Sequence, residues 1–137
     1  MKSKTASPAR GKERGSSPSK DPLSRASLKV RIEFPEERKI GPGKIELLER
    51  IGRTGSISAA AREMDMSYRR AWLLVDEIGK LFKRPLVTTS AGGSKGGGAE
   101  LTDFGREVIE AFKRIEERMA AVVRQELKPF EADFDNV

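Results

Sequence analysis

The sequence predicts a mainly α protein with a small β component, a winged helix-turn-helix followed by a long C-terminal dimerisation helix. Three observations carry the prediction. Two segments of helical periodicity meet across a tight turn at residues 64–66, a β-branched run faces a second short strand across a glycine-rich tip, and one apolar stripe then recurs over about 25 residues. With 137 residues, all of this belongs to a single domain and its tails.

Residues 1–27 hold seven Lys/Arg and two acids among many Ser, Pro and Gly, with almost nothing apolar. Such a segment cannot bury enough surface to offset its ordering entropy and reads as a disordered basic tail. It carries +5 of the chain's net +6, so the remaining residues are close to neutral and any anion-binding face must come from where their charges sit. The folded part begins with Leu28-Lys-Val-Arg-Ile-Glu-Phe34, a period-two alternation that reads as a half-buried strand stopped by Pro35. Ile40-Gly-Pro-Gly43 is turn chemistry. Apolar residues at 45, 47, 48 and 51 then give a first helix packed on one face.

Ser56 is an N-cap candidate for a short helix over 57–64, and Ser67 caps a longer one running to about Phe82. In the longer helix Ala71, Leu74, Val75, Ile78, Leu81 and Phe82 form the apolar stripe, leaving Tyr68, Arg69, Leu73, Asp76 and Lys80 on or near the other face. A helix-turn-helix needs small residues where its helices cross and a residue tolerant of a left-handed backbone in the turn. Ala60, Ala61 and Ala71 meet the first need, Asp65 the second, and Met64, Met66 and Leu74 plug the space between. Residues 86–90 and 99–101 read as a hairpin, the wing, with Lys95 among the glycines of its tip. Thr102-Asp103 reads as the N-terminus of the last helix, whose stripe runs through Phe104, Val108, Phe112, Ile115, Met119 and Val122 before Pro129 ends it. Residues 129–137 make a short acidic tail.

The candidate DNA-binding residues are Ser56, Ser67, Tyr68, Arg69, Arg70 and Lys95. The N-terminal end of a recognition helix meets the major groove, Arg suits a bidentate contact to guanine or a phosphate, and a Ser at a helix N-terminus suits phosphate. The bland reading of each Arg is a solvated surface charge. Trp72 is expected to pack at the boundary under the wing, the alternative being an exposed aromatic touching DNA. The glycine run lacks the Gly-x-x-x-x-Gly-Lys-Ser/Thr order of a nucleotide loop, which leaves wing contact or a plain connector. A stripe as long as that of the last helix exceeds what so small a domain can cover, so Phe104, Val108, Phe112, Ile115, Met119 and Val122 are the expected homodimer seam.

The chain has no His and no cysteine, which removes disulfides, thiol nucleophiles, His-based acid–base catalysis and His/Cys metal sites. Adjacent carboxylates such as Glu36/Glu37 and Glu116/Glu117 diverge instead of converging on a substrate. No enzyme, cofactor or metal is expected. No stretch has the apolar length of a membrane span and the start does not read as a signal peptide, so the expected location is the cytoplasm.

Several strings together resemble a known family: Gly41-Pro-Gly-Lys-Ile-Glu-Leu-Leu-Glu-Arg-Ile51, Thr54-Gly-Ser-Ile-Ser-Ala-Ala-Ala61, Met66-Ser-Tyr-Arg-Arg-Ala-Trp72, Val75-Asp-Glu-Ile78, Pro85-Leu-Val87, Gly92-Gly-Ser-Lys-Gly-Gly-Gly-Ala99 and Leu101-Thr-x-x-Gly105. Over about residues 28–125 they are similar to the N-terminal DNA-binding domain of the molybdate-responsive ModE transcription regulators, whose helix-turn-helix is of the LysR type. The resemblance implies DNA binding and dimerisation. It does not reach the family's C-terminal molybdate-binding domains, so molybdate binding is not expected of this chain. The expected function is a sequence-specific, homodimeric regulator that binds double-stranded DNA, with a link to molybdenum or molybdate metabolism. The alternative is a non-catalytic dimeric adaptor whose basic tail binds nucleic acid without sequence preference.

Overall fold

The structure is a computed structural model that describes residues 22–90 and 98–135. Its contacts form two compact units, Leu28–Ala120 and a second drawn from the terminal segments up to Ser27 and from Ala121 onward. The larger unit contains α1 (Pro42–Thr54), α2 (Ile57–Glu63) and α3 (Tyr68–Gly79), two antiparallel hairpins, and most of the long helix α4 (Asp103–Leu127). The hairpins are β1 (Ile32–Phe34) with β2 (Arg38–Ile40), and β3 (Val87–Ser90) with β4 (Gly98–Leu101).

Helix α1 is the centre of the larger unit because it is apolar on two adjoining faces. Ile45 and Leu48 join Ile40, Ile78, Leu86, Ile109 and Phe112 in one cluster. Leu47 and Ile51 join Ile57, Ala60, Ala61, Ala71 and Ala99 in the other. The helix opens on Pro42, where a missing N–H costs nothing, and closes on Gly55, whose φ of 75° suits glycine. The Gly55 carbonyl then accepts the Ala99 N–H at 2.9 Å, which ties the wing to the end of α1.

The wing is tied a second time at the start of α4. Thr102 donates its N–H to the Leu86 carbonyl at 2.9 Å and its hydroxyl to the Pro85 carbonyl at 2.7 Å, while that hydroxyl oxygen accepts the Gly105 N–H at 2.9 Å. This is the N-cap expected of Thr102.

The first strand is shorter than its alternation predicts. Val30 and Ile32 do pack against the core, but only Ile32–Phe34 find a partner. That partner, β2, lies where turn chemistry alone was expected to follow Pro35, and it pairs because Glu36 and Glu37 both adopt left-handed backbone (φ 66° and 62°) and reverse the chain. Helix α3 stops at Gly79 instead of about Phe82, yet Leu81 and Phe82 still pack into the first cluster from the turn that follows.

In the smaller unit, the tail expected to be disordered through residue 27 contains a short 3-10 turn, Pro22–Arg25, in which Leu23 is buried. It lies against a second 3-10 segment, Lys128–Asp133, which follows α4 and contains Pro129. Proline at the start of that segment ends the α-helix but is tolerated in the tighter turn.

Candidate nucleic-acid interface

The helix-turn-helix closes tightly because three of the residues where its helices meet are alanines. Ala60 and Ala71 are fully buried and Ala61 nearly so. Between the helices Asp65 has φ 60°, the left-handed position expected of it, and the Met66 N–H returns to the Ala61 carbonyl at 3.0 Å. Met64 and Met66 pack partly buried against this cluster. Both helix starts carry the caps their sequences announce: the Ser56 hydroxyl accepts the Ala59 N–H at 3.0 Å and the Ser67 hydroxyl accepts the Arg70 N–H at 3.1 Å. Each hydroxyl proton remains available for a phosphate oxygen.

Helix α3 presents an unbalanced charge. Its first turn contains no acid, and the exposed Arg69 and Arg70 make no ion pair or side-chain hydrogen bond among the described residues. Two guanidinium groups thus add to the positive end of a helix dipole, the reverse of the arrangement that stabilises a free helix. Several other cations are paired: Arg50 and Arg53 both reach Glu63, Lys80 pairs with Asp76, and Lys113 with Glu49. Arg53 beside it, with Arg50, holds the Glu63 carboxyl below the usual carboxylate range, against a smaller desolvation effect. Arg50, Arg53 and Glu63 at the α1–α2 junction thus satisfy one another, whereas Arg69 and Arg70 of α3 face outward.

Tyr68, Trp72 and Leu73 are exposed by 55%, 46% and 42% respectively. Trp72 stands at the boundary beside the wing and is only partly covered. One side of its ring borders a groove of about 310 Å³ shared with Val75, Pro85 and Val87, but nearly half of it faces solvent beside Tyr68. The chain leaves Trp72 open because Ala71 and Val75 already fill the space toward the core. Sequence reasoning also passed over Thr88, Thr89 and Ser90, three exposed hydroxyl side chains along β3; their signal was the β-branched run itself. Lys95 lies outside the described residues.

Residues 43–106, from α1 to the first turn of α4, match the family model for bacterial regulatory helix-turn-helix proteins of the lysR family. The molybdenum-pterin-binding protein MopB of Rhodobacter capsulatus is 46% identical over 85 residues, 62% of this chain and 32% of that protein. The molybdenum transport protein ModE of Azotobacter vinelandii is 44% identical over 73 residues, 53% of this chain and 27% of the relative. The DNA-binding transcriptional dual regulator ModE of Escherichia coli K12 is 33% identical over 87 residues, 64% and 33% of the two chains. The chain is thus similar to ModE-type proteins over a domain that carries a helix-turn-helix of the LysR type. The chain spans about a third or less of the length of these relatives.

The ModE-like domain divides the stripe of α4 in two. Phe112 is buried in the domain's own core, with Phe104 and Val108 packed against it. Phe104 meets Phe82 edge to face at 5.3 Å, and the Arg84 guanidinium lies 4.2 Å from its ring centre. Ile115, Met119 and Val122 instead stand exposed. Those first three side chains were expected in the dimer seam together with the last three; the shared periodicity gave no sign that the domain would cover only half of the stripe. Among the described residues no cluster of three or more metal-ligating side chains occurs, and no helix is long and apolar enough to cross a membrane.

Proposed function

We propose that this chain is a sequence-specific transcription regulator that reads double-stranded DNA as a homodimer in the cytoplasm, with a link to molybdenum metabolism. The observation that carries DNA reading is the unneutralised N-terminal turn of α3, where Tyr68, Arg69 and Arg70 stand exposed with the Ser67 hydroxyl beside them. A phosphate or a guanine edge supplies the acceptors those guanidinium groups lack. The link to molybdenum rests on the similarity to the molybdenum-pterin-binding protein MopB and the molybdenum transport protein ModE. No catalytic role and no molybdate site are assigned to the chain.

In this reading residues 28–101 are the winged helix-turn-helix and 102–128 the dimerisation helix, flanked by a basic tail over 1–27 and an acidic one over 129–137. Exposed Ile115, Met119 and Val122 recur at steps of four and three along α4, which supports a seam between two copies. Ser56 would meet the backbone from α2, and Lys95 from the wing.

The test is selection of bound duplexes from a random pool by the chain at physiological salt. An enriched inverted repeat is expected, and Arg69→Ala should then weaken binding to it by about 1–3 kcal/mol. A pool that emerges unenriched, with affinity that disappears when residues 1–27 are removed, would instead identify an adaptor whose tail alone holds nucleic acid.

A further inference from the structure

We propose that Tyr68, Trp72 and Leu73 form an apolar reader of thymine C5-methyl groups in the major groove, so that thymines adjoin the base or phosphate taken by Arg69. The inference rests on the DNA-reading function proposed above and names what the apolar part of α3 contributes to it.

Tyr68 and Trp72 are four residues apart and share a face of α3, with Leu73 beside Trp72. Together with Arg69 they line a shallow depression of about 360 Å³. Folding does not call for these side chains. The inward face of α3 is already complete, with Ala71 and Ile78 buried and Leu74 and Val75 packed beside them. Three large apolar groups clustered on one short helix are a binding surface rather than scattered exposure.

What binds there is set by the neighbours. The patch is continuous with the positive end of α3 and with two guanidinium groups that have no partner among the described residues. That combination suits a polyanion that also carries apolar groups. In the major groove, the thymine methyl is the apolar group among the exposed base edges, and Tyr, Trp and Leu side chains at 68, 72 and 73 can bury it. Arg69 lines the same depression and can hold an adjacent guanine or phosphate.

Uracil differs from thymine by this methyl alone and keeps the same hydrogen-bonding edge. A duplex enriched by the full chain is therefore prepared with each thymine replaced in turn by deoxyuracil, and binding is measured for the native chain, Trp72→Ala, Leu73→Ala and Trp72→Phe. For the native chain, one or two positions per half-site should lose about fourfold in affinity, the equivalent of one buried methyl group. At those positions the penalty should vanish in Trp72→Ala or Leu73→Ala and persist in Trp72→Phe. Equal binding of thymine and uracil throughout would overturn the inference while leaving DNA reading intact. Penalties that persist unchanged in both alanine variants would also overturn it and leave the patch to a protein partner. Failure to enrich any duplex would remove the DNA-reading function and this inference with it.

Discussion

Gly105 has less room than any other glycine described here. A Cβ built on it would lie 3.1 Å from the Leu86 carbonyl carbon and nearer still to its oxygen, both of them backbone atoms held by the Thr102 hydrogen bonds. Gly105→Ala should therefore cost about 3 kcal/mol or more in urea unfolding. Gly43, also in a helix, has nothing within 4 Å, and Gly43→Ala should instead stabilise by about 0.5 kcal/mol. The left-handed positions divide by legibility. Asp65 was legible because a helix-turn-helix needs such a residue between two recognisable helices. Glu36 and Glu37 were not, since glutamate rarely takes that conformation and Pro35 alone suggested the end of a strand. Replacing Glu37 by glycine should raise stability by about 1 kcal/mol, measured by thermal unfolding. Lys44 was equally hidden: a lysine in the first turn of a helix reads as solvated, but it is buried, with its Nζ donating to the Lys39 carbonyl at 2.9 Å and pairing with Glu77 at 3.2 Å.

Between elements, ion pairs fasten α1 to its neighbours, and their protonation sets when they act. Glu63 on α2 is held below its ordinary pKa, first by the Arg53 hydrogen bond and also by Arg50. Its contribution is present above the ordinary glutamate range and is lost as the pH falls through the lowered folded value. Lys113 on α4 is raised by Glu49, so the α1–α4 pair contributes below the ordinary lysine range and is lost as the pH rises through the raised value. Melting temperatures across pH should show an acid decline that Glu63→Gln makes shallower, and an alkaline decline that Glu49→Gln makes shallower. Element identity was legible wherever one apolar face had a clear period, as in α1, α3 and α4. Element ends were not: α3 ends at Gly79, but Leu81 and Phe82 keep the helical spacing because they enter the same core from a turn. The fate of the α4 stripe also escaped the sequence, because periodicity records that a face is covered and not which chain covers it.

For the whole molecule, the proposed dimer and the DNA interface make separable predictions. Met119→Glu places a charge in the middle of the exposed stripe, where it is 43% exposed in the single chain, so the fold should persist while sedimentation shifts toward a monomer. Affinity for an inverted repeat should fall with it, whereas Arg69→Ala should weaken DNA binding without changing the sedimenting species. Specific binding should also weaken steeply with added salt as phosphate contacts release counterions.

The wing is fastened at two levels, by Thr102 to Pro85 and Leu86 at its root and by Ala99 to Gly55 near the far end of its ladder. A hairpin held in this way is a socket: its anchoring does not depend on how much chain runs between the strands. Added residues between Ser90 and Gly98 should cost only the entropy of a longer loop, about 0.6 kcal/mol for each doubling. In the proposed DNA complex, reach along a duplex could therefore be altered by length alone, leaving α2 and α3 in place.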